Sequence, residues 1–479
     1  MGDEKHHLPE KVPEPFISRN NNYKLISQTK NIRMDQHNSP KHNLDTNLGV
    51  APVAAADRVK SIDAIRGFAL LGILMMNIPG FGMNWDFWYN IYTGHRSGYD
   101  YLTMEGVSVF FEGTMRGLFS MLFGAGMILF MTNKKETSGQ PSVAVYYYRR
   151  LLWLVLFGVI NAFVILWFGD ILFYYGLFGM ILFAFRKTAP KWLLIIGLSL
   201  IACAMVQNAW RWSETREKRA NYLEAMAAKK EKNKLTDEQQ QSITAWKQIA
   251  TVNKPDTAQT NENMRKMHSD YVTIFKYWIP NNAGGEAWEA YFGIFDMLSM
   301  MFIGMALFGW GFFNNKLSTS TYTMWMLVGY GIGIPFGYFL FNQDFASITN
   351  RVAFIDRWRC SPGIFAEFRR LFITVGHASM LMLVYRLKIA PWLMKALSAV
   401  GQMAFTNYLM QSIICTFFFY GYGLGYYGKL YFHQIYYVVA AVWIFQLIFS
   451  SIWLRYFRFG PFEWVWRSLT YWKKQPMKL

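Results

Sequence analysis

Charge is what this sequence has least of. Only 16% of its 479 residues are Asp, Glu, Lys or Arg, against about 25% in soluble domains. Together with 53% hydrophobic residues and a positive mean hydropathy of +0.12, that shortage excludes a soluble globular enzyme and a disordered protein. Cysteine is scarce too. Cys203, Cys360 and Cys415 set no disulfide framework, which excludes a small cross-linked secreted scaffold. Histidine and cysteine never fall at metal-ligand spacing, and His6, His7, His37 and His42 are too scattered for a site, so no metal is expected. Walker loops, dinucleotide fingerprints and HExxH helices are all missing, which argues against an ATP-driven pump and a zinc protease. The residues before Ile62 contain no apolar h-region, so they do not read as a signal peptide.

What the chain has in abundance is apolar runs of about 18–25 residues, each long enough to cross a ~30 Å hydrocarbon core. Ten spans are expected, near 63–83, 107–131, 151–168, 171–185, 191–210, 290–312, 322–341, 364–386, 393–418 and 434–454. The expected fold is therefore all-α, a polytopic transmembrane bundle. Residues 1–60 read as a disordered tail, 61–210 as spans one to five and 289–454 as spans six to ten. Residues 211–288 read as a small helical cap, in which Thr236-Asp237-Glu238-Gln239 has the form of a capping box. The last segment, 455–479, with Trp464 and Trp466, reads as an interfacial amphipathic anchor.

A net charge of +18 would point to nucleic acid in a soluble protein, but here its distribution speaks of topology. Lys134, Lys135, Arg149, Arg150, Arg186, Lys187, Lys191, Lys316, Arg386, Lys388, Lys395 and the basic C-terminal segment fall on one side of the expected spans. The opposite short loops hold Arg96, Arg351, Arg357, Arg359 and Lys429. The positive-inside rule then puts both termini in the cytoplasm and the 211–288 insertion outside. The lipid bilayer is the expected partner; nucleic acid is not.

In such a chain the informative residues are the polar ones inside spans, because each must face a partner or a cavity. Glu112 and Arg116 are one helical turn apart and read either as a self-neutralising pair or as the lining of a polar pocket. Asn77 lies in the outer half of the first span and Arg66 near its cytoplasmic end. Asp170 stands at the turn between the third and fourth spans, with Asn161 deeper in the third. His377 is the one histidine inside a span, either a base near neutral pH or an interhelical contact. Arg370, beside Glu367 and Arg369, would pair with an anionic ligand, and Asn407 and Gln411 share a face of the ninth span.

Several stretches resemble a bacterial family of YeiB-like membrane proteins. They are Ile62-Asp63-Ala64-Ile65-Arg66-Gly67 leading to Asn77, Phe119–Gly126, Gly169-Asp170-Ile171-Leu172, Met403–Ser412 and Gly460–Arg467, in the family's order. The family looks distantly related to integral-membrane acyltransferases, including heparan-α-glucosaminide N-acetyltransferase. That resemblance implies transfer of an acyl group from cytosolic acyl-CoA, as co-substrate, to an extracytoplasmic acceptor at a bacterial inner membrane. It implies a base, for which His377 and then Asp170 are the candidates, and an oxyanion stabiliser, for which Asn77 or Arg116 qualifies. Arg66, Arg149 and Arg150 would hold the CoA phosphates, and Glu112, Asn161, Arg370, Asn407 and Gln411 would line the acceptor pocket. The heparan enzyme places a histidine shortly after its Asn; here Pro79–Trp88 contains none. A proton-coupled carrier, or a sensor that uses the cap, are the competing readings, and a homodimer is compatible with each.

Overall fold

The computed structural model describes residues 59–94, 96–132, 141–232, 234–251 and 254–479. The expected tail up to residue 58, with Lys134 and Lys135, lies outside them. The described residues form a bundle of α-helices, and their sole β feature is an isolated bridge between Phe457 and Lys478. In chain order the helices are α1 (Lys60–Gly82), α2 (Trp85–Thr93), α3 (Tyr99–Phe110), α4 (Thr114–Thr132), α5 (Val143–Phe163) and α6 (Leu172–Leu182). Next come α7 (Pro190–Lys230), α8 (Asp237–Thr251), α9 (Thr257–Met267), α10 (Tyr271–Gly309), α11 (Thr319–Thr349) and α12 (Arg351–Arg357). The last are α13 (Ala366–Arg386), α14 (Pro391–Gln402), α15 (Ala404–Phe419), α16 (Phe432–Trp453) and α17 (Pro461–Tyr471).

Among the described residues, 6 segments are long and apolar enough to cross a membrane: α1, α3 with α4, α5, α7, α11 and α16. Shorter apolar helices fill Leu172–Phe185, Gly293–Gly309 and Ala404–Phe419. These match nine of the expected spans; the other is α13, which carries Glu367, Arg369 and Arg370 and is therefore less apolar. Two expected spans are divided. Residues 107–131 break at Phe111–Gly113, where Gly113 takes φ +69°, a left-handed conformation that glycine adopts at little cost. Residues 393–418 break at Met403 (φ −107°, ψ 31°) between α14 and α15.

Tertiary contacts sort the helix ends into two groups. At one end Ser61 Oγ donates to the Phe313 carbonyl at 2.7 Å, and Arg386 donates to Thr319 Oγ1 at 2.9 Å and Asn315 Oδ1 at 3.0 Å. There too Trp466 Nε1 donates to the Arg150 carbonyl at 2.9 Å. At the other end the Gly428 amide reaches the Gly82 carbonyl at 2.8 Å, and the Tyr271 hydroxyl the Val164 carbonyl at 2.8 Å. Each contact joins segments that the lysine and arginine pattern assigns to the same side. The core between the ends is apolar, from Ile65 and Leu70 on α1 to Met300 and Met301 on α10.

At 41 residues, α7 is about 60 Å long, twice the thickness of a hydrocarbon core, so much of it stands clear of the bundle. Arg219 on its far half holds Asp356 through two bonds of 3.0 and 2.9 Å, and Trp212 Nε1 donates to the Trp358 carbonyl at 3.2 Å. Ahead of α8 the capping box is reciprocal: the Gln239 amide donates to Thr236 Oγ1 at 3.2 Å, and the Thr236 amide to Gln239 Oε1 at 3.1 Å. Two of the four donors orphaned at that helix start are thereby satisfied.

Candidate functional site

The break between α3 and α4 leaves backbone carbonyls without regular helical partners, and a buried carbonyl must find a donor elsewhere. One face of α13 supplies them. Arg369 Nη1 donates to the Ser108 carbonyl at 3.0 Å and its Nη2 to the Glu112 carbonyl at 3.0 Å. Thr374 Oγ1 reaches the Thr114 carbonyl at 3.3 Å. His377 Nε2 donates to the Phe110 carbonyl at 2.9 Å, which assigns the ring proton to Nε2, and Nδ1 then accepts from the Tyr330 hydroxyl at 2.8 Å. With both nitrogens engaged, His377 is here an interhelical brace and does not reach the cavity described below.

The same break separates Glu112 from Arg116. The sequence spacing puts them on one helical face, but Gly113 turns the chain between them, and neither pairs with the other. Arg116 forms an ion pair with Asp296 of α10, which also pairs with Arg370. Arg370 bonds Glu367 at 2.6 Å, and the half-exposed Glu112 faces Arg369 at 3.7 Å. Three arginines thus meet three carboxylates. Asp296 is the member that sequence reasoning passed over, although an acidic residue inside the sixth expected span is itself a signal.

A second polar set crosslinks α15 and α16. Asn407 Nδ2 donates to Ser450 Oγ at 2.9 Å and to the Val400 carbonyl at 3.1 Å. Gln411 Nε2 donates to Gln446 Oε1 at 3.0 Å, and Gln446 Nε2 to the Asn407 carbonyl at 2.8 Å. Asn407 and Gln411 therefore serve helix packing instead of facing an open pocket. Asn77 is half-buried on α1 and lies in none of these sets.

A cavity of about 250 Å³ opens at the end that holds Asp63, Arg66, Arg150 and Arg467. Arg66 bonds Asp63 at 2.9 Å. Arg150 lies with its guanidinium 4.3 Å from the Trp466 ring and 5.5 Å from the Phe130 ring. Among the described residues it has no carboxylate partner. Neighbouring Arg149 does not line the cavity; it donates to the Thr470 carbonyl at 3.2 Å and lies over Trp472.

The walls are aromatic, and the deep part is formed by Phe119, Tyr175 and Tyr408. Just beyond the wall Asp170 is buried. It accepts from Asn161 Nδ2 at 2.8 Å, from the Phe173 amide at the start of α6 at 2.9 Å, and from the Tyr408 hydroxyl at 3.4 Å. Of the residues expected to form one site, Arg66 and Arg150 share this cavity, and Asp170 with Asn161 back it. Arg116, Arg370, Glu112 and His377 gather instead at the α3–α4 break.

One wall is held by a reciprocal cap. Glu463 of α17 accepts from the Phe405 amide at 2.7 Å, the Thr406 amide at 3.0 Å and the Thr406 hydroxyl, while Thr406 Oγ1 accepts from the Phe462 amide at 3.0 Å. Each helix start thereby caps the other. Burial pushes the Glu463 carboxyl above the ordinary glutamate value, opposed by the bonds from Thr406 and Phe405. This clamp joins the Met403–Ser412 and Gly460–Arg467 stretches, and it seats Trp466 and Arg467 on the cavity.

A bundle with this many helices long and apolar enough to span a bilayer is a multi-pass membrane protein. Residues 307–473 match the model of a protein family of unknown function, DUF418. The chain is 32% identical over 434 residues to the uncharacterized protein YxaH of Bacillus subtilis (strain 168), covering 89% of this chain and 97% of that one. It is 30% identical over 427 residues to the uncharacterized protein YeiB of Escherichia coli (strain K12), covering 86% and 96%. The chain belongs to this YeiB-like family. No solved structure matches it.

Proposed function

We propose that this chain is a bacterial inner-membrane acyltransferase that takes acyl-CoA into the arginine-rimmed cavity. The observation that carries the reading is Arg150, placed with Arg66 at the rim of an aromatic-walled cavity and lacking a carboxylate of its own among the described residues. A cation in that setting is suited to a phosphate brought by a ligand. In this reading the arginine end faces the cytoplasm, and α7–α9 form the cap outside.

In the transfer the thioester C–S bond breaks and a C–O or C–N bond forms to the acceptor. The acceptor's proton passes to a base and then to the leaving thiolate. Asp170 replaces His377 as the first candidate for that base, since it stands directly behind the cavity wall and His377 does not. The test is thermal stability of the detergent-purified protein with acetyl-CoA and with CoA, for wild type and Arg150→Gln. A ligand at a hundred times its Kd stabilises by about 2.7 kcal/mol. The reading expects that shift in wild type and its loss in the variant; no shift with either ligand sinks it.

The buried set of Arg116, Asp296, Arg370 and Glu367 favours a second reading, a proton-coupled carrier, because intramembrane carboxylates commonly carry protons. Proton-driven flux in liposomes without acyl-CoA turnover would establish it.

A further inference from the structure

The cavity has a depth as well as a charge. Phe130 near its rim and Phe119 in its deep part lie three helical turns apart on α4, about 16 Å along the axis. Tyr175 of α6 stands at that deep end, with 1% of its surface exposed. Its ring meets Phe119 and Phe123 edge-on, at centroid distances of 5.4 and 5.1 Å. Its hydroxyl lies 2.7 Å from Ser120 Oγ and donates to the Arg116 carbonyl at 3.2 Å. Swinging the ring aside would leave that hydroxyl unpaired in apolar surroundings, which holds the ring in place. Arg116 is itself tied to Asp296, so the end wall is anchored to the charge cluster behind it.

We propose that Tyr175 is the specificity-determining end wall of the cavity. The ligand is an amphiphile whose anionic head lies at Arg66 and Arg150 and whose apolar chain runs along α4 until it meets the Tyr175 ring. This rests on the acyl-ligand reading above and adds to it a limit on chain length. The pantetheine arm of a CoA thioester takes up most of that depth, so an acetyl group fits within the wall and long chains are refused.

The test compares stabilisation of the intact, detergent-purified chain by acetyl-, octanoyl- and palmitoyl-CoA, with free octanoate and palmitate as separate arms. Variants are Tyr175→Ala, Tyr175→Leu in case the first does not fold, and Tyr175→Phe. Wild type and Tyr175→Phe should respond to acetyl-CoA and not to palmitoyl-CoA. The smaller side chains should bind palmitoyl-CoA at least about tenfold tighter than wild type, since each methylene newly buried adds ~0.8 kcal/mol. Acyl-CoA binding with the same chain-length order in all variants would overturn the end wall and leave the acyl-CoA reading standing. The expected order with free acids, and no response to any CoA compound, would uphold the wall and overturn CoA as donor. No response to any of these ligands overturns both.

Discussion

The arginines at the α3–α4 break and those at the cavity rim are equally out of place in an apolar bundle, yet the protein treats them differently. At the break, Arg116, Arg369 and Arg370 are matched by Asp296, Glu112 and Glu367, and by carbonyls that the broken helix exposes. At the rim, Arg150 lies against aromatic rings and has no carboxylate partner among the described residues. A matched buried cation holds helices together. One left without a counter-charge, beside open volume, is available to a ligand. Position in a span does not separate the two kinds; the presence of a partner does.

If that contrast is right, the largest effect belongs to Asp296→Asn, which strips the shared buried carboxylate from Arg370 and the part-exposed Arg116. Breaking such a pair costs roughly 3–5 kcal/mol, so the variant should melt far below wild type or fail to accumulate. A melting temperature within experimental error of wild type would undo the structural role given to this cluster. Next comes His377→Ala, which removes the brace between the Phe110 carbonyl and the Tyr330 hydroxyl, leaving the first with Thr114 Oγ1 and the second with Met380 Sδ, and should cost about 1 kcal/mol. Any ligand-induced shift should survive in this variant; its selective loss would return His377 to the site.

Arg150→Gln should change the melting temperature of the unliganded protein by little, because it removes a guanidinium that stabilises no carboxylate. The same variant should abolish the shift caused by CoA compounds. A large loss of stability without ligand would place Arg150 with the matched arginines instead. The smallest effect is expected at Glu463. Its folded pKa lies above the unfolded value, so its protonated form favours folding, and that contribution is lost as pH rises through the folded value. Melting curves across about pH 4–8 should show wild type losing stability relative to Glu463→Gln as pH rises; parallel profiles would contradict a carboxyl whose burial outweighs its bonds from Phe405 and Thr406.

The spans were readable because a ~30 Å apolar core demands runs of a fixed length, and the two groups of helix ends follow the lysine and arginine pattern. Asp170 and Asn161 were also readable as a pair, being nine residues apart across one tight hairpin and bonded at 2.8 Å. The break at Phe111–Gly113 was not. Residues 107–131 read as one apolar run interrupted by Glu112 and Arg116, which helical spacing pairs, and the donors that make a break tolerable come from α13, more than two hundred and fifty residues further on. Helical periodicity therefore put Glu112 beside Arg116, and nothing local contradicted it. The polar line of Asn407 and Gln411 was seen, but its partners Gln446 and Ser450 lie on another helix.

Composition and periodicity are local properties, and they are enough to specify a multi-pass helical bundle and the set of polar side chains it must accommodate. Which of those side chains neutralise one another and which remain for a ligand depends on helix neighbours distant in sequence. Arg116 finds Asp296 across 180 positions, while Arg150 meets aromatic rings and, among the described residues, no carboxylate. Desolvation makes every buried charge seek a partner, and packing alone sets whether that partner is within reach.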